Sequence, residues 1–413
     1  MMQNLIIERR IIMIKQLIKS YKVELNPTNI QRTIINNNIN GSRFVYNWCL
    51  EKFKSDYENG VKDYSKYGYI NNLTMLKNID PNLSWLKDVS SVNIQQSIID
   101  FDSSVQGFFK KTSKYPQFKS RRTTKQSYRE QNNKDHSIRT QGRKIWIPIV
   151  GWVKIKGKPE KYLPSNQIIK RITISRDVDK FFVSILYNDV KLFDDQIEKY
   201  RIVRPLGIDL GIKSLAVIAH NHKNNITVIP NHNTTKNYES KLKKENKSLS
   251  RKKLGSNNWN KQKTKLGKLH RKIRNVRKDY THKFTFDITT RTKGCIIMME
   301  DLSTCNMMRN KRLSKALQNA SFGEIYRQMD YKSNWNNSRV DLIPRNYPST
   351  KKCSCCGSIK VMRLSDRIYK CNNEKCRLNI TPIDRDVNAA INIKDYYYFK
   401  NPYIDFEKYK SLA

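Results

Sequence analysis

Apolar and polar residues alternate over SYKVELN (residues 20–26), the period of a half-buried strand, and the turn residues of NPTN follow at once. A helical pattern then runs from about Ile30 to Lys54, and helical patterning continues to about Lys111 through SWLKDVSSVNIQQSIIDFDSSVQGFFKK. At Tyr115 the character changes. YPQFKSRR and a polar stretch to Gln141 lead into KIWIPIVGWVKIKG, IIKRITISR and KFFVSILYN, which are short alternating strands with turns between them. Residues 20–200 therefore predict a small β-barrel-like domain with a helical insertion, at about 30–112, after its first strand.

A second pattern begins at Leu206. GIDLGIKSLAVIAH predicts a strand, a tight turn at Gly211 and a second strand, with ITVIP as a third. Leu266, Leu269, Ile273, Val276, Tyr280 and Phe284 step by three or four along a helix whose other sides are strongly basic. GCIIMMEDLS then has the form of a buried parallel strand that delivers a carboxylate at its end, and VDLIPR predicts another strand. No internal repeat is evident.

Composition narrows the class of partner. The 80 Lys and Arg against 36 Asp and Glu give a net charge of +44 over 413 residues, which would repel itself unless a polyanion neutralised it. Nucleic acid fits better than a membrane, because no apolar run approaches the ~20 residues of a spanning helix. The amino-terminal apolar pieces are broken by Glu8, Arg9, Arg10 and Lys15, so no secretory core is expected and an intracellular, soluble, reducing setting is. No acid interrupts the stretch from Lys247 to Lys278, which marks Lys252, Lys253, Lys268, Arg271, Arg274 and Arg277 as a phosphate-tracking surface; Arg121 and Arg122 of YPQFKSRR are further candidates.

Two constellations carry chemistry. Asp209 inside a strand, Glu300 at a strand's end and Asp386 at a helix start are each flanked by apolar residues, where a carboxylate is costly unless a cation compensates it. A pair of Mg²⁺ ions ~4 Å apart would do so and would serve phosphodiester cleavage. Asp301 beside Glu300 and Asp384 before Asp386 leave the assignment open, and Asp386 would also serve as a helix cap. Second, Cys353 and Cys356 form C-x2-C at a turn closed by Gly357, and Cys371 and Cys376 form C-x4-C after RIYKC. In a reducing compartment four such thiols predict a closed, structural zinc site, with Cys355 able to replace Cys356. Cys49, Cys295 and Cys305 stand singly as inert thiols.

The ordered set GIDLGIKSLAVI, MEDLS, YPSTKKCSCCG and DRDVNAAINI resembles the TnpB (OrfB) family encoded by insertion sequences. SYKVELNPTNIQ with GSRFVYNWCLE, YPQFKSRR, RKDYTHKF and NASFGEIYRQMDYK extend the resemblance over about residues 20–395. It implies an α/β RNase H-like (RuvC) nuclease domain with a zinc-ribbon insertion, preceded by a β-barrel wedge with a helical recognition insertion. By position Asp209, Glu300 and Asp386 match the family's Mg²⁺-binding carboxylates, and Cys353, Cys356, Cys371 and Cys376 its zinc ligands. The implied activity is RNA-guided DNA cleavage, with a guide RNA derived from the transposon end and a DNA target. A catalytically silent regulator of transposition and a strand-joining transposase are the alternatives. The implied layout is an extension at 1–19, wedge and insertion at 20–200, nuclease core at 201–348, ribbon at 349–382, last catalytic motif at 383–395 and tail at 396–413. Met13 would give a more typical start than Met1. Two departures stand out: CNNEKCRLN is longer than the family's usual second pair and lacks its Gly, and Asn319 stands where relatives often carry Asp.

Overall fold

The computed structural model describes residues 12–61, 65–122, 125–132, 137–157, 169–194, 205–220, 225–232, 236–363 and 365–401. The chain divides into two compact units between residues 194 and 195.

The first unit is built on a seven-stranded antiparallel sheet. Its strands are β1 (Ile12–Asn26), β2 (Gln126–Gln131), β3 (Arg139–Gln141), β4 (Lys144–Ile147), β5 (Gly151–Ile155), β6 (Ile169–Asp177) and β7 (Lys180–Asp194), in the spatial order β2-β6-β7-β1-β5-β4-β3. β2 and β3 lie at its two edges and do not pair with each other, so the described strands form an open sheet where the pattern predicted a barrel. The long ladder between β1 and β7 pairs Ile12 with Asp194 and runs to Leu25 opposite Phe181. β1 therefore begins eight residues before Ser20; β7 supplies hydrogen-bonding partners that carry the extension despite its imperfect alternation. Residues 1–11 lie outside the described set.

The strand period puts Val23, Leu25, Ile145, Ile147, Val153, Ile155, Ile172, Ile174, Val183 and Ile185 on one buried face. The helical insertion comprises α1 (Asn29–Glu58), α2 (Lys66–Ile79), a 3-10 turn (Pro81–Asp88) and α3 (Ser91–Phe109). α1 starts where Thr28 and Gln31 cap each other reciprocally. Its own core gathers Val45, Cys49, Leu50, Ile98 and Phe101, and burial pushes the Cys49 thiol up to about 12, as an inert core cysteine requires.

The second unit carries a five-stranded sheet of β8 (Pro205–Leu210), β9 (Ser214–Ala219), β10 (Ile226–Pro230), β11 (Ile296–Glu300) and β12 (Arg339–Ile343), ordered β10-β9-β8-β11-β12. The first three strands in chain order form an antiparallel meander, while β11 runs parallel to both β8 and β12. Between them come α4 (Glu239–Ser250) and the 35-residue α5 (Asn257–Arg291), whose buried stripe includes Leu266, Leu269, Ile273, Phe284 and Ile288. After β11 follow α6 (Thr304–Met308), α7 (Lys311–Ala320) and α8 (Phe322–Trp335). The cysteine module contains α9 (Arg377–Ile380) and a two-stranded ladder of β13 (Ile368–Tyr369) with β14 (Ile383–Asp384). α10 (Arg385–Lys400) closes the described chain. Residues 396–400, expected as tail, are its final turn: Tyr397 is buried beside Ile393, Met298 and Ile343 because its ring completes that apolar cluster. Residues 402–413 lie outside the described set. No helix among the described residues is long and apolar enough to cross a membrane.

Candidate active site and metal centre

Register brings two of the expected acids together. β11 pairs with β8 in parallel, Met299 opposite Ile208, so the next residue along each strand places Glu300 beside Asp209. The third arrives on α10, which lies across β8. Asp384 caps this helix, accepting from the amides of Asp386 at 2.8 Å and Val387 at 3.3 Å. The capping role open to Asp386 thus belongs to Asp384, and the Asp386 carboxylate instead accepts from the Arg385 guanidinium at 3.1 Å.

The same geometry separates Glu300 from Asp301. Asp301 faces outward in a bidentate ion pair with Arg345 at 2.8 and 3.2 Å. Glu300 is largely enclosed: Ser349 donates its hydroxyl to Glu300 Oε1, and Tyr326 donates to the Glu300 backbone carbonyl. Burial raises the Glu300 carboxyl above the ordinary range against the opposing Ser349 hydrogen bond. Asp209 is pushed well above its ordinary value, first by desolvation and then by the negative charges of Glu300 and Asp386. Desolvation and two neighbouring acids both oppose the charge of Asp209, and a divalent cation held there would remove both penalties.

The four expected thiols also converge. Sγ of Cys353 lies 3.7 Å from that of Cys376, and Cys356 lies 3.6 Å from Cys371; all four fall within 4.8 Å of one another. A tetrahedral zinc with metal–sulfur bonds of about 2.3 Å needs sulfurs about 3.8 Å apart, so the set fits. The first knuckle closes through Gly357 N–H to Cys353 O and Cys353 N–H to Ser358 O, with Gly357 at φ +79°. The longer second loop still closes, because Asn373 N–H points at Cys371 Sγ and Cys376 N–H at Asn373 O. Cys355 is exposed and outside the cluster. Hydrogen bonding from Ser358 draws the Cys356 thiol down to about 6, which favours the thiolate a metal requires. Among the described residues this is the one group of three or more His, Cys, Asp or Glu side chains gathered within a single ion's reach.

Two asparagines that the sequence reading passed over join the centres. Asn388 donates to Lys352 O at 2.8 Å and accepts from Ser354 N–H at 3.0 Å, while Asn392 donates to the carbonyls of Ser349 and Lys352, both at 2.7 Å. Both are buried, one turn apart on α10, and they fix the backbone of the first knuckle to the acid-bearing helix. Two amides four apart within the apolar run VNAAINI were the available signal.

The basic candidates divide. Arg121, Arg122, Lys253, Lys268 and Arg274 are exposed, and Lys252 is half-buried. Arg271 is buried instead, because the helical period turns it into the packed side of α5, so its assignment to an exposed phosphate-tracking face is corrected. Arg277 is half-buried and donates to Asn319 Oδ1 at 3.0 Å. Asn319 thus anchors that arginine rather than capping α8, which begins after Ser321.

The second unit thus joins a partly buried cluster of three acids to a four-thiol module. Three family models match in order along the chain: a helix-turn-helix domain of the OrfB type over residues 13–62, the OrfB model described as "Probable transposase" over 192–311, and a Cas12f1-like TNB domain over 322–393. The chain is 28% identical over 396 residues to the "Putative RNA-guided DNA endonuclease InsQ" of Escherichia coli (strain K12), covering 91% of each. It is 28% identical over 383 residues to a "Putative RNA-guided DNA endonuclease" of Streptomyces pristinaespiralis, covering 92% of this chain and 90% of that one. A chain of the Cas12f1–sgRNA–target DNA complex, solved by cryo-EM, superposes with a TM-score of 0.51 at 13% identity, covering 92% of this chain and 99% of that one. The fold is of the Cas12/TnpB type, and the chain belongs to the TnpB (OrfB) family.

Proposed function

We propose that this chain is an RNA-guided DNA endonuclease of a mobile element, with a Mg²⁺-dependent RuvC-like nuclease centre at Asp209, Glu300 and Asp386. The observation that carries the proposal is the convergence of these three acids from two parallel strands and a helix, with the charge of Asp209 held off by its neighbours. Bound magnesium would polarise the attacking water and stabilise the leaving oxygen of a phosphodiester. The chain's own residues would position it: Ser349 orients Glu300, Asp384 frees Asp386 from capping, and Arg385 steadies the Asp386 carboxylate. The four thiols would hold zinc as a structural ribbon, leaving no open position for chemistry.

The first unit would act as the wedge, with its helical insertion as a recognition lobe. A guide RNA from the transposon end would pair with the DNA target, and cations such as Arg121, Arg122, Lys252, Lys253, Lys268 and Arg274 would hold the nucleic acid by its backbone while pairing reads sequence. The two relatives named as RNA-guided DNA endonucleases, matched over nine-tenths of their length, support this reading. The test is to co-express the chain with its flanking transposon-end DNA, sequence the RNA that copurifies, and assay a plasmid library for Mg²⁺-dependent cleavage. RNA-dependent cleavage lost in Asp209→Ala supports the proposal; a discrete RNA with no cleavage would point to a silent regulator.

A further inference from the structure

The outer face of the β3–β4–β5 edge has a composition that the fold itself does not use. Register places Arg139 opposite Trp146 and Trp146 opposite Trp152, forming one continuous row across three strands. The next outward row sets Lys144 directly opposite Lys154. The intervening residues Ile145 and Val153 turn inward and are fully buried, so the row assignments follow from the strand period. The two indoles meet edge to face with centroids 5.6 Å apart, and the Arg139 guanidinium lies 5.3 and 5.6 Å from them.

Both halves of this arrangement are unfavourable for an isolated sheet. Like charges directly opposite one another across a strand pair are destabilising, and neither lysine makes an ion pair among the described residues. The nearest acid on β1, Glu24, is already held by Lys156 at 2.7 Å and Lys180 at 2.9 Å. Two half-buried tryptophans keep large aromatic area in water. At the hairpin tip Ile149, a β-branched residue, adopts φ +67° while 53% exposed, a strained conformation with no packing return inside the unit.

We infer that this face is a stacking platform for unpaired bases of RNA, with Trp146 and Trp152 against the bases and Lys144, Lys154 and Arg139 along the backbone. Aromatic side chains interleaved with cations on an antiparallel sheet are what single-stranded nucleic acid requires: every base presents a π face, and the phosphates neutralise the opposed lysines. RNA is favoured over DNA because the proposed guide carries unpaired loops before any target is bound, whereas a DNA strand becomes unpaired only after the guide has displaced it. In that respect the inference rests on the guided-nuclease reading.

The test uses the full chain and a labelled 12-residue single-stranded RNA, titrated at high salt so that the overall basic charge is screened. The pair Trp146→Leu/Trp152→Leu should weaken binding about tenfold or more, and Trp146→Phe/Trp152→Phe should retain most of it. Affinity for duplex RNA should not move, and ultraviolet crosslinks should map to residues 144–154. If the leucine pair fails to fold, Lys144→Gln/Lys154→Gln should lower the salt dependence of single-strand binding by about 1.4 in log–log slope. Unchanged affinity in both pairs, equal losses on duplex RNA, crosslinks elsewhere, or tighter binding of the matching DNA strand would each overturn the platform. Guided cleavage that persists with intact RNA affinity in the leucine pair removes the platform alone; lost single-strand binding in a chain that never cleaves removes the nuclease reading alone.

Discussion

The backbone carbonyl of Ala390 sits directly over the α-carbon of Gly207, closer than any side chain at that position would tolerate. Lys394 N–H crowds the same point, so α10 rests on bare β8 backbone. That contact sets the height of α10 above the sheet, and with it the distance from Asp386 to Asp209. Gly207→Ala should push the helix off the strand, lowering Tm by roughly 5–10 °C and cutting cleavage more than it cuts RNA binding. Thermal melts alongside cleavage and binding assays check this; an alanine variant with unchanged activity would show that the close approach does not position Asp386.

The split between Glu300 and Asp301 gives a paired test. Alanine at Asp209, Glu300 or Asp386 should each reduce cleavage at least about a hundredfold, because each removes a carboxylate aimed at a developing charge. Asp301→Ala breaks only an exposed ion pair with Arg345, so activity should stay within about twofold and stability within ~1 kcal/mol. Single-turnover cleavage rates for the four variants decide, and strong loss in Asp301→Ala would reverse the assignment.

Elemental analysis of purified protein should find about one zinc per chain. Cys353→Ser should bring the ratio towards zero, while Cys355→Ser should leave it unchanged. Asn388→Ala leaves the Ser354 amide without its side-chain acceptor and the Lys352 carbonyl with Asn392 as its remaining amide donor, at a cost of roughly 1–3 kcal/mol. That variant should keep its zinc yet cleave more slowly, since Asn392 alone then ties the segment carrying Ser349 to α10.

Glu130 gives the first unit a pH dependence. It is fully buried on β2, accepts from Ser90 at 3.0 Å through one oxygen and leaves the other without a partner, and desolvation pushes it up to about 7. The folded state therefore keeps a proton that the unfolded chain releases near its ordinary 4.5. Stability from this group is fully present below about pH 4.5 and declines as pH rises through 7. Glu130→Gln should remove that decline and stabilise the unit at pH 8 by on the order of 2 kcal/mol, measured by denaturant melts at pH 5 and 8. A wild-type stability that rises between those pH values for this unit, with no change in the variant, would contradict it.

β2 also shows where the sequence pattern stops being legible. QSYREQ is polar, and Glu130 on its inward side hides the alternation that Tyr128 shares, so the stretch reads only as polar. Pairing with β6, a property of the fold rather than of six residues, makes it a strand. The second unit was clearer, because GIDLGIKSLAVI, GCIIMMED and VDLIPR carry strong apolar runs that β8, β9, β11 and β12 bury. The four thiols were visible as spacing, and the three acids as carboxylates flanked by apolar residues. The choice between Glu300 and Asp301, and between Asp384 and Asp386, needed the register and the helix cap. The roles of Ser349, Asn388 and Asn392 exist only once the knuckle meets α10, so the two amides four apart marked a position without saying what they hold. Arg271 misled because composition reports charge along α5 but not which turn of it is packed.

The central claim is that an RNA carried by this chain directs its three acids to DNA. The most direct test is cleavage of a target plasmid by the copurified ribonucleoprotein with Mg²⁺, with the guide segment of the RNA replaced by a new sequence. Cleavage that moves to the newly matched site, and that vanishes with EDTA and in Asp209→Ala, is the predicted result. Cleavage that ignores the guide or survives Asp209→Ala, or none at all with RNA firmly bound, would contradict it.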